Sequence, residues 1–248
     1  MDDWKFKQAR EILSQAKKVA VFSGAGLSAE SGISTFRGNE PDAYWSRFDP
    51  MQLASVQGFA EDPATVIAWY DWRRKKLARA EPNPAHRELA AQPGLINITQ
   101  NVDDLLERAG VPATYILHLH GSIGKDRCLA NCGHEESIEL SDPPGLRNCE
   151  NCGASMRPSV VWFGEMLPEQ IWLNAMRVCQ GIDCLLVIGT SGSVYPAARL
   201  VEVAAGSGSK IIVINPESNP HDQLADVELN AAAARVLPKL LAGLALKC

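Results

Sequence analysis

Apolar side chains fall into two rhythms along the chain. Across residues 3–17 they recur at helical spacing, with Phe6, Ala9, Ile12, Leu13 and Ala16 on one face, which predicts an amphipathic helix. Residues 18–22 then form a short, β-branched apolar run of strand length that leads directly into Ser23-Gly24-Ala25-Gly26. Comparable runs recur at residues 95–99, 114–119, 159–163, 184–189 and 210–215, with helical patterns between them. Continuously apolar strands alternating with helices predict an α/β fold with a parallel sheet covered on both faces. Two stretches break the rhythm. Residues 38–82 are helical, rich in Trp and Arg and bounded by prolines, and residues 121–157 are polar and hold a cysteine cluster. Both read as insertions that build a smaller second domain.

Length and composition narrow the function more than the fold. With 248 residues and 46% hydrophobic side chains, the chain can bury one substantial α/β core plus smaller modules. A net charge of −5 and a pI near 5.6 disfavour a protein that grips nucleic acid over a wide surface. One local basic patch remains, Arg73-Arg74-Lys75-Lys76, but the overall acidic balance suits a partner that is itself basic, such as a lysine-bearing protein. Met1-Asp2-Asp3-Trp4-Lys5 has no apolar signal-peptide core, and runs such as residues 185–188 are too short to span a bilayer. A soluble, cytoplasmic protein without a membrane partner is expected. Seven cysteines in such a chain point to a reducing compartment rather than to disulfides.

Four of the cysteines carry chemistry. Cys128-x3-Cys132 and Cys149-x2-Cys152, sixteen residues apart, offer two thiolate pairs for one tetrahedral metal site. Their neighbours Asn131, Gly133, Asn148 and Gly153 are not those of core thiols. Four protein ligands leave no open position, so a structural Zn2+ is expected, with His134 a spare loop residue.

Gly24-x-Gly26-x-x-Ala29 follows a strand, and the sequence predicts that it opens a helix, as a dinucleotide pyrophosphate site requires. Taken alone, the motif fits a tight strand-to-helix turn equally well. No acidic residue ends a second strand about 20 residues later, which disfavours a hydride-transfer enzyme. The other strand ends carry Gln100-Asn101-Val102-Asp103, His118-Leu119-His120, Gly189-Thr190-Ser191 and Asn215-Pro216-Glu217. Ligands of open α/β sheets bind at those ends, and these side chains suit a ribose and a carboxamide.

The segment Gly24-Ala25-Gly26-Leu27-Ser28-Ala29-Glu30-Ser31-Gly32-Ile33-Ser34-Thr35-Phe36-Arg37 resembles the first signature of the sirtuin family. Thr99-Gln100-Asn101-Val102-Asp103 and His120-Gly121 resemble the second and third. The cysteine quartet, Phe163-Gly164-Glu165, Gly189-Thr190-Ser191 and Ile214-Asn215 follow in the family's order, so the likeness spans about residues 19–237. Ser34 departs from the proline of many members.

The resemblance implies a Rossmann-like NAD-binding domain over residues 1–37, 83–120 and 158–248, with a helical insertion at 38–82 and a zinc-binding module at 121–157. It places Phe36 at the nicotinamide ribose and Arg37 at phosphate, with Ala25 in the same NAD loop. Gln100 and Asn101 fall to ribose, Asp103 to the carboxamide, and Gly189, Thr190, Ser191, Asn215, Glu217 and Ala233 to the adenosine side. His120 is implied as the general base, with His118 on the same strand face as its rival, and Asn101 as a second catalytic residue that helps hold the leaving nicotinamide twisted and buried. Val161, Phe163 and Gly164 fall in the strand that would pair with substrate peptide. The implied reaction has an acyl-lysine oxygen attack C1′ of the nicotinamide ribose. Nicotinamide leaves, and the products are free lysine and O-acyl-ADP-ribose.

Tyr70 and Arg73 lie three apart and share a helix face, which by spacing alone is a solvated basic helix. Tyr-x-x-Arg here resembles class III sirtuins, implying removal of succinyl and malonyl as well as acetyl groups. Arg would offer a fork of donors to the distal carboxylate. Four readings follow for the chain: this deacylase, a deacetylase without acidic preference, a protein ADP-ribosyltransferase, and a non-enzymatic NAD or ADP-ribose sensor.

Overall fold

The computed structural model describes residues 3–33 and 48–248. Strand β1 (Val19–Ser23) is buried at every position, as its continuous apolar run requires. It sits at the middle of a six-stranded parallel sheet. On one side lie β2 (Ile96–Thr99) and β3 (Ile116–His118), and on the other β7 (Cys184–Ile188), β8 (Lys210–Ile214) and β9 (Val227–Leu229), labels following chain order. The register aligns Ser23 with Thr99 and Ile188, and Thr99 with His118. The carboxyl ends of four neighbouring strands therefore form one edge. The chain turns outward in opposite directions from β1, so the crevice for ligands falls between β1 and β7.

Helices α1 (Asp3–Gln15), α5 (Pro84–Ala90) and α9 (Ala233–Leu240) cover one face through Ala9, Leu13, Leu89, Val236 and Leu240. The other face packs α7 (Glu169–Gly181) and α8 (Arg199–Gly206) through Ala175, Cys179, Leu200 and Val201. No helix of the described residues is long and apolar enough to cross a membrane.

A second sheet is antiparallel, with β4 (Gly121–Cys128) between β5 (Glu135–Ser137) and β6 (Met156–Val160). Here the structure corrects the sequence reading. Residues 159–163 are not a parallel strand, because β6 ends at Val160 and pairs with β4 instead. The sixth parallel strand is β9, three residues long at an edge where α1 covers it. In the helical segment, α2 (Pro50–Leu53), α3 (Val56–Glu61) and α4 (Pro63–Arg79) each start at a side-chain cap: Asp49, Ser55 and Asp62. Such caps satisfy amide donors that a helix start leaves open. Phe59, Val66, Ile67, Trp69 and Tyr70 share one core with Ile123, Val160 and Trp162, so these helices and the second sheet pack as a unit.

Candidate active site at the sheet's switch point

The glycine loop has a different steric reason than the sequence suggested. Among the described residues it opens no α-helix; two three-residue 3-10 turns, Ala25–Leu27 and Ala29–Ser31, follow β1. The turn that follows β1 is therefore 3-10 where the sequence predicted the start of an α-helix. What demands glycine is the approach of a second loop. A Cβ on Gly26 would lie 2.6 Å from the Gly189 Cα, and one on Gly189, at φ +57°, would lie 2.5 Å from the Gly26 carbonyl carbon. The Gly26 amide donates to the Gly189 carbonyl and that of Gly24 to the Ile188 carbonyl.

Ser28 is fully buried and collects three polar partners from distant parts of the chain. Its Oγ donates to Asp103 Oδ2 at 2.9 Å and accepts from Asn101 Nδ2 at 3.1 Å. The third partner is His86 Nε2 at 3.4 Å, a residue the sequence reading missed. His86 sits in the first turn of α5, where its Nδ1 accepts from the Asn83 amide, leaving Nε2 to donate toward Ser28. Burial, with the Arg87 charge nearby, pulls the His86 pKa down to about 4, so the ring is neutral. The local signal was a capping motif, Asn83-Pro84-Ala85-His86; the contact to Ser28 spans 58 residues and leaves no local trace. Burial raises the Asp103 pKa, against the lowering effect of Ser28 and of the Leu105 amide on its other oxygen.

The two histidines of β3 and its end are told apart by their partners. His118 Nδ1 donates to the Asn101 carbonyl at 3.0 Å and Nε2 reaches Glu107 at 2.8 Å, so both nitrogens are committed. Burial opposes charge on His118, but the Glu107 hydrogen bond and charge outweigh it and raise its pKa. His120 donates from Nδ1 to the Gln100 carbonyl at 2.9 Å, and its Nε2 has no hydrogen bond among the described residues. Burial lowers its pKa, outweighing that hydrogen bond. A neutral imidazole with one lone pair open is a base; a doubly bonded imidazolium is a strut.

On the far side of the crevice, Gln100 Nε2 donates to Thr190 Oγ1 at 2.9 Å, and Asn215 Nδ2 reaches the Thr190 carbonyl at 3.4 Å. Ser191, Pro216 and Glu217 follow at the ends of β7 and β8, with Ser191 and Glu217 exposed. Ala233 is buried at the start of α9, where the next amide, of Ala234, donates to Glu30 Oε2. Glu30, another residue unread in the sequence, thus ties the glycine loop to α9. Val102 donates no side-chain chemistry, but its carbonyl accepts from Ile123 of β4. Ala29 follows Ser28 in the second 3-10 turn. Phe36 and Arg37 lie outside the described residues.

The segment after β6 is a bridge and a turn rather than the strand expected for peptide pairing. Val161 donates its amide to the His120 carbonyl, Trp162 to Glu165 Oε2 and Phe163 to the Ala54 carbonyl. Those amides are committed, and Gly164 turns the chain at φ +84°. Trp162 Nε1 donates to the Tyr70 hydroxyl at 2.9 Å, and Arg73 stacks 4.7 Å from the Trp69 ring centre and 5.6 Å from that of Tyr70. Tyr70 therefore connects through Trp162 and Val161 to His120.

The four thiols of Cys128, Cys132, Cys149 and Cys152 lie within 4.8 Å of one another, none in a disulfide. Cys128 and Cys152 are 3.4 Å apart and Cys132 and Cys149 3.6 Å. Zn–S bonds of about 2.3 Å in a tetrahedron place sulfurs roughly 3.8 Å apart, so the set fits one zinc ion. His134 is not part of it; its Nε2 lies 3.7 Å from Glu136.

A switch-point crevice edged by glycine backbone, amides and carboxylates defines a nucleotide-binding α/β protein. The chain matches the Sir2 family over residues 24–196. An NAD-dependent protein deacylase of Methylococcus capsulatus is 44% identical over 248 residues, covering 94% of each chain. A solved Sir2 homologue–NAD complex aligns with a TM-score of 0.88 at 41% identity, over 95% of this chain and 92% of that one. A Sir2 protein bound to a myristoylated histone peptide aligns at 0.77 and 32% identity, over 97% and 96%. The chain belongs to the Sir2 family.

Proposed function

We propose that this protein is an NAD-dependent protein-lysine deacylase that removes succinyl and malonyl groups, and acetyl groups with them. The observation that carries the reaction type is the histidine pair. His120, at the strand edge that also carries the Ser28–Asn101–Asp103 cluster, offers an Nε2 open among the described residues, whereas His118 is held between a carbonyl and a carboxylate. NAD, when bound, supplies an electrophilic ribose carbon with nicotinamide as leaving group. Asn101 and Asp103, both fixed by Ser28, hold the ribose and carboxamide ends. His120 takes a proton from a ribose hydroxyl at Nε2, and the Gln100 carbonyl steadies the ring as it becomes charged. Cys128, Cys132, Cys149 and Cys152 hold zinc as a structural ion away from this chemistry.

Two facts support the acidic-acyl preference. The Tyr70 hydroxyl accepts from Trp162 and so keeps its own proton to donate, and Arg73 stacks on the same ring. A guanidinium and a phenol side by side match a carboxylate. The substrates are acyl-lysine proteins, as the relative holding an acylated histone peptide suggests. A panel of acetyl-, malonyl-, succinyl- and myristoyl-lysine peptides, with and without NAD, tests the reading by mass spectrometry. Deacylated peptide with O-acyl-ADP-ribose, fastest for succinyl and malonyl, is expected. Modified protein without deacylation indicates ADP-ribosyl transfer, and nucleotide binding without nicotinamide release indicates a sensor.

A further inference from the structure

Arg74 follows Arg73 on α4 but points into the protein, where it is 1% exposed. Its Nε donates to the Ile123 carbonyl at 2.9 Å, Nη1 to Asp71 and Nη2 to Asp126 Oδ1. Asp126, equally buried on β4, accepts from Arg147 Nη2 at 3.0 Å on its other oxygen, and Arg147 also pairs with Glu136. One carboxylate therefore joins the helix that carries Tyr70 and Arg73 to both arms of the zinc module. Asp126 stands two residues before Cys128, and Arg147 two before Cys149.

Buried ion pairs add little net stability compared with apolar packing, because desolvation offsets their attraction. What they do supply is one defined arrangement, since any rotation of α4 strands a buried charge. Tyr70 and Arg74 lie four apart and face the same way, Tyr70 against Trp162 in the turn after β6 and Arg74 against Ile123 of β4. The rotation of α4 that satisfies Arg74 is thus the one that sets Tyr70 and its stacked neighbour Arg73.

We infer that Asp126 is a positioning residue for acyl-group selection, gripping Arg74 and Arg147 so that α4 presents Tyr70 and Arg73 to the distal end of the acyl chain. The inference rests on the acyl-recognition reading above. It separates from simple stabilisation through its readout, the ratio of two activities.

Arg147→Gln and Asp126→Asn, each alone and combined with Arg73→Met, are assayed for kcat and KM on succinyl-lysine and acetyl-lysine peptides, with zinc content measured. Expected for the two single variants is a rise in succinyl-lysine KM of roughly two- to thirty-fold, the range over which remote coupling acts. Acetyl-lysine KM stays within about two-fold, the scatter of independent sites, and zinc remains near one per chain. In the Arg73→Met background, neither substitution moves the succinyl-to-acetyl ratio further. Equal losses on both substrates, an unchanged ratio, or a shift that persists in full without Arg73 overturns the inference. If Arg73→Met alone leaves the ratio unchanged, the acyl-recognition reading fails and takes this inference with it. If Arg73→Met moves the ratio and the Asp126 and Arg147 variants do not, only the inference fails. Should Asp126→Asn not fold, Arg147→Gln decides, because that side chain is partly exposed.

Discussion

Replacing each histidine of the β3 strand end separately is the sharpest test of the chemistry. His120→Ala removes the one imidazole whose Nε2 is open while its Nδ1 is anchored on the Gln100 carbonyl 2.9 Å away. General-base catalysis contributes about 10²- to 10⁴-fold, so kcat should fall by at least about a hundred-fold, some 3 kcal/mol of barrier. The fold and NAD binding should survive, because only one backbone hydrogen bond is lost. His118→Ala removes a donor to the Asn101 carbonyl and the partner of Glu107, and leaves that carboxylate short of a donor. Its cost should appear as stability, about 1–3 kcal/mol, with activity falling by less than about ten-fold. Single-turnover deacylation at saturating NAD, calorimetric NAD titration and thermal melts measure all three quantities. The pH profile adds a sign. His120 acts only when neutral, and burial lowers its pKa below the ordinary 6.5 in the free protein, so the acid limb of kcat/KM should lie below that value. A folded His118→Ala protein that loses as much kcat as His120→Ala, or an acid limb above 6.5, would refute the assignment.

Chelation should release about one zinc per chain and lower stability, and Cys149→Ser should do the same, since structural zinc supplies folding free energy; equal melting temperatures with and without metal would overturn that role. Arg73→Met should depress kcat/KM for succinyl-lysine roughly thirty-fold or more while acetyl-lysine changes only a few-fold, as removing one partner of a charge pair predicts; equal losses return Arg73 to a solvated face. The His86 pKa near 4 means the folded state resists a proton that the unfolded chain takes up near 6.5, so this group's contribution is intact above pH 6.5 and lost on acidification, on the order of 3 kcal/mol in all. His86→Gln should therefore flatten the fall in stability between pH 6.5 and 4.5 in urea melts, and an unchanged slope would contradict its buried neutral state.

Much of the parallel sheet was legible because its central strands are buried on both faces and read as unbroken apolar runs. Val227-Glu228-Leu229 was not, since three alternating residues at a covered edge carry too short a pattern. Residues 159–163 misled for the opposite reason. Val161 and Trp162 are apolar because Trp162 packs on Phe59 under the helical segment, not because they extend a strand. The cysteine quartet could be read from its spacing, and the place of His120 at the strand edge beside Gln100 from its motif. His86 and Glu30 could not, because each matters only through a partner that folding brings from 58 and 204 residues away. The glycine motif was found for a reason that proved incomplete. It was read as a cradle for phosphate; what the structure shows is a seam where two loops touch.

That seam sets where the protein can be redesigned. Gly24, Gly26 and Gly189 meet backbone to backbone, so a methyl group on any of them collides with main chain that no rotamer change can move aside. Substitution at these three positions is therefore closed to redesign, whatever is done at the side chains around them. Just past the seam, Ser191 and Glu217 stand exposed near Thr190 and Asn215, with room for other side chains. A library that varies the ends of these strands can therefore change Ser191 and Glu217 while holding the three glycines constant in every member.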